Sequence, residues 1–133
     1  MSVGNPRRAN GSRRDALRRR FSAMDSPCWI CGLPIPRGVH HRHPYAMELD
    51  ELVPVSKGGS ATDPANIRRA HRCCNQWRGD KPAAAVPRIA AAVRSAFGRW
   101  SCPAEFVVFA RSVARMPKGG RSMPSEVATS REW

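Results

Sequence analysis

Two short clusters carry residue types that packing alone does not explain. Cys28-Trp29-Ile30-Cys31-Gly32 sets two thiols two residues apart, and the glycine lets the backbone turn tightly around them. Downstream, in His71-Arg72-Cys73-Cys74-Asn75, His71 and Cys74 have the same spacing. Together the two pairs offer three thiolates and one imidazole from distant segments, the donor set of a tetrahedral structural zinc. A thioredoxin-type redox pair also has CxxC spacing, but no βαβ pattern surrounds this one, which favours metal. Cys73 is one residue out of phase, replacing His71 only if the local geometry differs, and Cys102 reads as a bystander thiol.

A different chemistry is on offer at Asp50-Glu51. Acidic residues are scarce, 10 against 23 Lys and Arg, and these two stand among Met47, Leu49, Leu52 and Val53. Surface charge balance is the plain alternative; scarcity and apolar setting weigh toward a site. Neighbouring strand side chains point to opposite faces, so both serve one site only if the strand twists or bulges. Three of the four histidines lie in Val39-His40-His41-Arg42-His43-Pro44. His40 and His41 read as a polar loop, while His43 stays open as a participant.

These groups need elements to position them. Leu17, Phe21 and Met24 recur at helical spacing and predict a short basic helix over 13–24, leaving Arg14, Arg18, Arg19 and Arg20 to phosphates or water. Met47, Leu49 and Val53 mark a first strand, which Pro54 ends. Ser56-Lys57-Gly58-Gly59-Ser60 is a loop, and Asn66-Ile67 begins a second strand. Asn75 and Gln76 open a helix running through Trp77 toward Asp80, stopped by Gly79 and Pro82. Residues 83–100 show a helical pattern through Ile89, Val93 and Phe97 with Pro87 in the first turn, and 104–115 another with Phe106, Phe109 and Val113 inward.

The chain has 133 residues, 12 of them proline and 10 glycine, so one small domain with a modest core is expected, the kind a metal often staples. A net charge of +13 points to a polyanionic partner, nucleic acid first. No apolar run is long enough to span a bilayer, no amphipathic helix with an aromatic face suggests a membrane surface, and no secretory signal is evident. A cytoplasmic protein with reduced thiols is expected, in which five cysteines suggest metal rather than disulfides. Residues 1–14 read as a flexible basic arm, 15–82 as the site-bearing domain, 83–115 as a helical C-terminal extension and 116–133 as a tail.

The run LDELVPVSKGG…ANIRRAHRCCNQWRGDK, with CWICG and the GNPRR arm upstream, resembles the HNH endonuclease family of the ββα-metal (His-Me finger) class, most of all the small HNH proteins of tailed phages and prophages of high-GC bacteria. The similarity covers roughly residues 4–82. It implies an α+β fold: a zinc-stapled ββα-metal core with flanking helices and basic arms, residues 15–82 being the HNH domain with its zinc knuckle. It implies that Cys28, Cys31, His71 and Cys74 hold structural zinc, and that Asp50 and Asn75 hold a catalytic Mg²⁺ or Mn²⁺. Asn66 matches the middle asparagine, which braces the loop and orients the base. Lys57, Arg78 and Lys81 lie where such proteins hold DNA phosphates. Glu51 stands where the family has its general-base histidine.

The activity so implied is metal-dependent hydrolysis of DNA phosphodiesters, tied to phage DNA processing or packaging, with terminase subunits as possible partners. The alternative is a catalytically weak or inactive zinc-stapled DNA-binding or terminase-accessory protein. Glu51 has two open roles, accepting the proton of the attacking water or acting as a second carboxylate ligand while another group, His43 being nearest in sequence, activates the water. The helix opening near Cys74 would aim its positive end at the phosphate.

Overall fold

The computed structural model describes residues 11–117. Its first element, helix α1 (Gly11–Ser22), buries Leu17, Phe21 and, one turn earlier, Arg14, leaving Arg13, Arg18, Arg19 and Arg20 exposed. The helix therefore begins inside the stretch expected to be a flexible arm. Arg14 is the reason: its guanidinium donates to Glu51 Oε2 and to the Ala61 carbonyl, each at 2.9 Å, which ties the first turn down. The other end is held by Arg37, whose Nη atoms donate to the carbonyls of Ser22, Ala23 and Met24, groups that the end of a helix leaves without partners. Residues 1–10 of the expected arm and 118–133 of the expected tail lie outside the described residues.

Strands β1 (Met47–Glu51) and β2 (Ile67–His71) pair antiparallel, Met47 opposite His71 and Glu51 opposite Ile67. The first strand ends before Val53, which is exposed rather than inward. The Asn66 side chain replaces the ladder there: it accepts from Val53 N–H at 2.9 Å and donates to the carbonyls of Val53 and Ser60 at 3.0 and 2.9 Å. The loop between is tight. Gly58 adopts φ +92°, and a Cβ on Gly59 would fall onto the Val53 carbonyl oxygen, so the Gly58-Gly59 pair is a backbone requirement.

Helix α2 (Arg72–Arg78) follows β2 directly, three residues earlier than the expected opening at Asn75. His71 is extended at its N-cap, and two of the N–H groups that a helix start leaves without intrahelical partners go to backbone: Arg72 to the Ala46 carbonyl and Cys73 to that of Pro44, both at 2.8 Å. The helix start is thus closed by protein rather than open to a phosphate.

Helices α3 (Ala85–Phe97) and α4 (Pro103–Arg115) pack on each other, and α4 also packs on α2. They close one core over the sulfur cluster: Val86, Val93 and Phe106 lie with Cys28, Cys31, Cys74 and Trp77, Trp77 meets Phe106 edge-on, and Trp100 Nε1 donates to the Cys31 carbonyl at 2.7 Å. Each such fully buried side chain contributes about 1.5–3 kcal/mol. A second, smaller core joins Leu17 and Phe21 of α1 to Leu49 and Ile67 of the sheet. The described residues thus form an α+β fold of four helices and one two-stranded antiparallel sheet. Among them no helix is long and apolar enough to cross a membrane.

Candidate metal centre and acidic cleft

The four ligands read from the spacing do come together. Donor atoms of Cys28, Cys31, His71 and Cys74 all lie within 4.8 Å of one another, and all four side chains are buried. The knuckle reverses through Gly32, whose N–H donates to the Cys28 carbonyl at 2.9 Å, and docks on β2 through Trp29 N–H to the Arg69 carbonyl at 3.0 Å. His71 Nδ1 faces the sulfurs, 3.3 Å from Cys31 Sγ and 3.9 Å from Cys74 Sγ. Its Nε2 lies 2.9 Å from the Pro34 carbonyl, which can only accept, so Nε2 carries the proton and Nδ1 offers its lone pair.

The thiols show why a cation belongs here. Burial opposes the Cys28 thiolate, but hydrogen bonds from Cys31 and Cys74 hold this thiol far below its usual range, and the His71 backbone N–H also donates to its sulfur at 3.4 Å. The bond to Cys28 pushes Cys31 up to about 12, and bonds to Cys28 and Cys31 push Cys74 up as well. Cys73, outside the cluster, is pushed up by its own burial. The donor set fits a metal such as zinc.

The acidic pair lines a separate cleft of about 610 Å³, together with Glu48, Asn75, Arg14 and His41. Asp50 is buried and held at both oxygens: Arg78 Nη1 donates to Oδ1 at 2.7 Å and Trp29 Nε1 to Oδ2 at 2.8 Å. Burial, outweighing the Arg78 and Trp29 bonds, raises the Asp50 pKa above the ordinary carboxylate value. Glu51 pairs with the buried Arg14 at 2.9 Å. Asn75 Nδ2 donates to Glu48 Oε1 at 2.9 Å, and Arg72 Nε lies 3.3 Å from Glu48 Oε2.

The three residues expected on DNA phosphates are differently placed. Arg78 is 1% exposed and lies inside the protein, donating to Asp50 and to the carbonyls of Glu51, Leu52 and Lys81, with the Trp29 ring 5.2 Å from its guanidinium carbon. It braces the acidic strand and is not a surface contact. Lys81 Nζ donates to the Trp77 carbonyl at 2.9 Å and sits over that ring, and the exposed Lys57 reaches the Asp80 carbonyl at 3.3 Å. His43 accepts from Tyr45 N–H in its own loop, whereas His41 is the histidine that lines the cleft. Asn66 bonds only to backbone in the loop beside the cleft.

Sequence reasoning missed Trp29, Glu48 and Arg14 as parts of this region. Glu48 had a signal: it is two residues before Asp50, on the same strand face. Trp29 and Arg14 had none beyond their types. Compared with known proteins, the chain matches no family model, no curated protein and no solved structure.

Proposed function

We propose that this chain is a metal-dependent DNA endonuclease of the HNH type, nicking one strand per site, on a zinc-stapled ββα-metal core. The observation that carries the reading is that Asp50, Glu51 and Asn75 line one cleft, brought there by β1 and by the helix that follows β2. Zinc suits the sulfur-rich donor set, and Mg²⁺ or Mn²⁺ suits Asp50 and Asn75, whose free donors are oxygens. When bound there, such an ion supplies Lewis-acid stabilisation of the phosphodiester oxygens. The residues around it do the positioning. Glu48 takes the Asn75 N–H, which leaves Asn75 Oδ1 as the acceptor for a cation. Arg78 and Trp29 hold the Asp50 carboxylate at a fixed angle, leaving further lone pairs on both oxygens. Glu51, oriented by Arg14, takes the proton of the attacking water. A bacterial cytoplasm and a role beside a phage terminase are proposed with it, on the resemblance alone.

One observation favours the non-catalytic alternative, a zinc-stapled DNA-binding or terminase-accessory protein: Asp50 and Glu51 are already matched to Arg78 and Arg14. A supercoiled-plasmid assay with Mg²⁺ or Mn²⁺ decides. The endonuclease nicks the plasmid, and Asp50→Ala and Glu51→Ala each slow nicking by roughly 100-fold or more, the scale of a lost ion ligand or proton acceptor. Wild-type protein that retards DNA on a gel yet leaves it intact with both ions would establish the alternative.

A further inference from the structure

We propose that the basic wall of α1, centred on Arg18, is the track on which DNA backbone phosphates lie as a strand enters the acidic cleft. Arg18 is exposed, yet it lines three concavities at once: the acidic cleft and two shallower troughs of about 580 and 330 Å³. The larger trough adds Arg19 and Arg37, and the smaller adds Arg37, His41 and Arg69. Asp15 is the one carboxylate among the described residues that line either trough. Its pairing with Arg18, at 2.7 Å, is an exposed i,i+3 contact that solvent keeps weak, so a phosphate competes for Arg18 readily.

The far side of the track is preformed. Arg37 is pinned by the Ser22, Ala23 and Met24 carbonyls and pairs with Asp25 at 2.6 Å, an exposed contact that solvent keeps weak, so its guanidinium is held in place at the trough. Arg69 is buried, donates to the Ser26 carbonyl, and keeps its Nε without a hydrogen-bond partner. Burial, and after it the charge of Arg37, lowers its pKa, partly opposed by Asp25. A membrane surface fits less well. The exposed large apolar side chains among the described residues, Val53 and Val108, line neither trough, so no apolar anchor accompanies the charge. Of the residues first expected to hold phosphates, Arg78 and Lys81 are engaged within the protein and the exposed Lys57 does not line the cleft, whereas Arg14 and Arg18 of α1 do. The proposal rests on the nucleic-acid part of the reading above and not on catalysis.

The test is binding of a fluorescently labelled DNA duplex by anisotropy across a salt series, without added Mg²⁺ or Mn²⁺. Arg18→Gln and Arg19→Gln are compared with Arg111→Gln, which removes the same charge from an exposed position on α4. Arg18→Gln is expected to bind roughly tenfold more weakly, with the slope of log K against log salt smaller in magnitude by about 0.9, and Arg19→Gln to fall in the same direction. Arg111→Gln is expected to stay within about twofold, since it loses only long-range charge. Circular dichroism and metal content check that each variant folds. Equal weakening by Arg18→Gln and Arg111→Gln overturns the track, because net charge alone would then explain binding. Preference for a duplex RNA of the same length, or for phosphatidylserine vesicles, overturns the assignment to DNA. Wild-type protein that binds as expected but never nicks removes the endonuclease and keeps the track; one that nicks while Arg18→Gln binds normally removes the track alone.

Discussion

The sulfur cluster and the acidic cleft are joined by Trp29, which stands between two ligands of the one and donates to Asp50 of the other, and they handle charge in opposite ways. In the cluster, the bonds among the thiols raise Cys31 and Cys74 and lower Cys28, and all four donors converge on one point. In the cleft, Asp50, Glu51 and Glu48 already lie against Arg78, Arg14 and Arg72. The first arrangement gathers four buried donors that a metal such as zinc would fit. The second matches its carboxylates to arginines within the protein itself.

The largest expected effect breaks the first half of this contrast. Cys74→Ser removes a ligand from a site whose metal is worth about 10–16 kcal/mol in small zinc domains, more than most domains' whole stability. Zinc analysis should fall from about one ion per chain to almost none, and cooperative thermal unfolding should vanish. Retention of both would show that the cluster is not what holds the fold. Acidification works in the same direction: protons compete for thiolates and imidazole, so metal is lost as pH falls.

Arg78→Ala tests the second half. It leaves Asp50 buried beside an empty cavity and should cost about 3–5 kcal/mol in urea denaturation, with zinc still bound. Arg78→Lys should recover only part of this, because an ammonium cannot span Asp50 and two carbonyls at once. A loss under about 1 kcal/mol would mean that the pair is incidental.

Trp29→Phe sharpens the link between the regions. It keeps a ring over Arg78 but removes the donor to Asp50, worth about 1.5–3 kcal/mol for a bond to a charged group. Zinc content should be unchanged and Mn²⁺ affinity reduced. Unchanged Mn²⁺ binding would uncouple the knuckle from the cleft.

The smallest effect is in pH. Burial raises the Asp50 pKa, so the folded chain holds this proton where an unfolded one, with a pKa of about 3.9, has lost it. Its contribution to stability is full below the ordinary carboxylate range and is lost as pH rises through the raised value. Asp50→Asn should flatten the stability curve in that window. In the wild type, Mn²⁺ affinity should begin to fall on acidification above the ordinary range; an unshifted midpoint would place Asp50 in a more polar setting than the one described.

Spacing and periodicity, both local, made much of this molecule legible in its sequence. CxxC and HxxC set pairs of donors on tight turns, and those four residues meet. Leu17 and Phe21 recur along α1, and Val93 and Phe106 mark the buried sides of α3 and α4. Helix ends were less legible, because Arg14 and the carbonyls of Pro44 and Ala46, remote in sequence, decide where α1 and α2 begin.

Sequence by itself determined the donor set of the staple, the acidic strand and the excess of positive charge. Tertiary structure alone decided which arginine answers each carboxylate: Arg14 to Glu51 across 37 residues and Arg78 to Asp50 across 28, with Trp29 completing Asp50 across 21. It also turned Arg78 from an expected surface contact into an interior brace and left Arg18 at the meeting of three concavities. The physical reason is that a charged side chain's role depends on its partner and its burial, and both are set when distant segments close on one another.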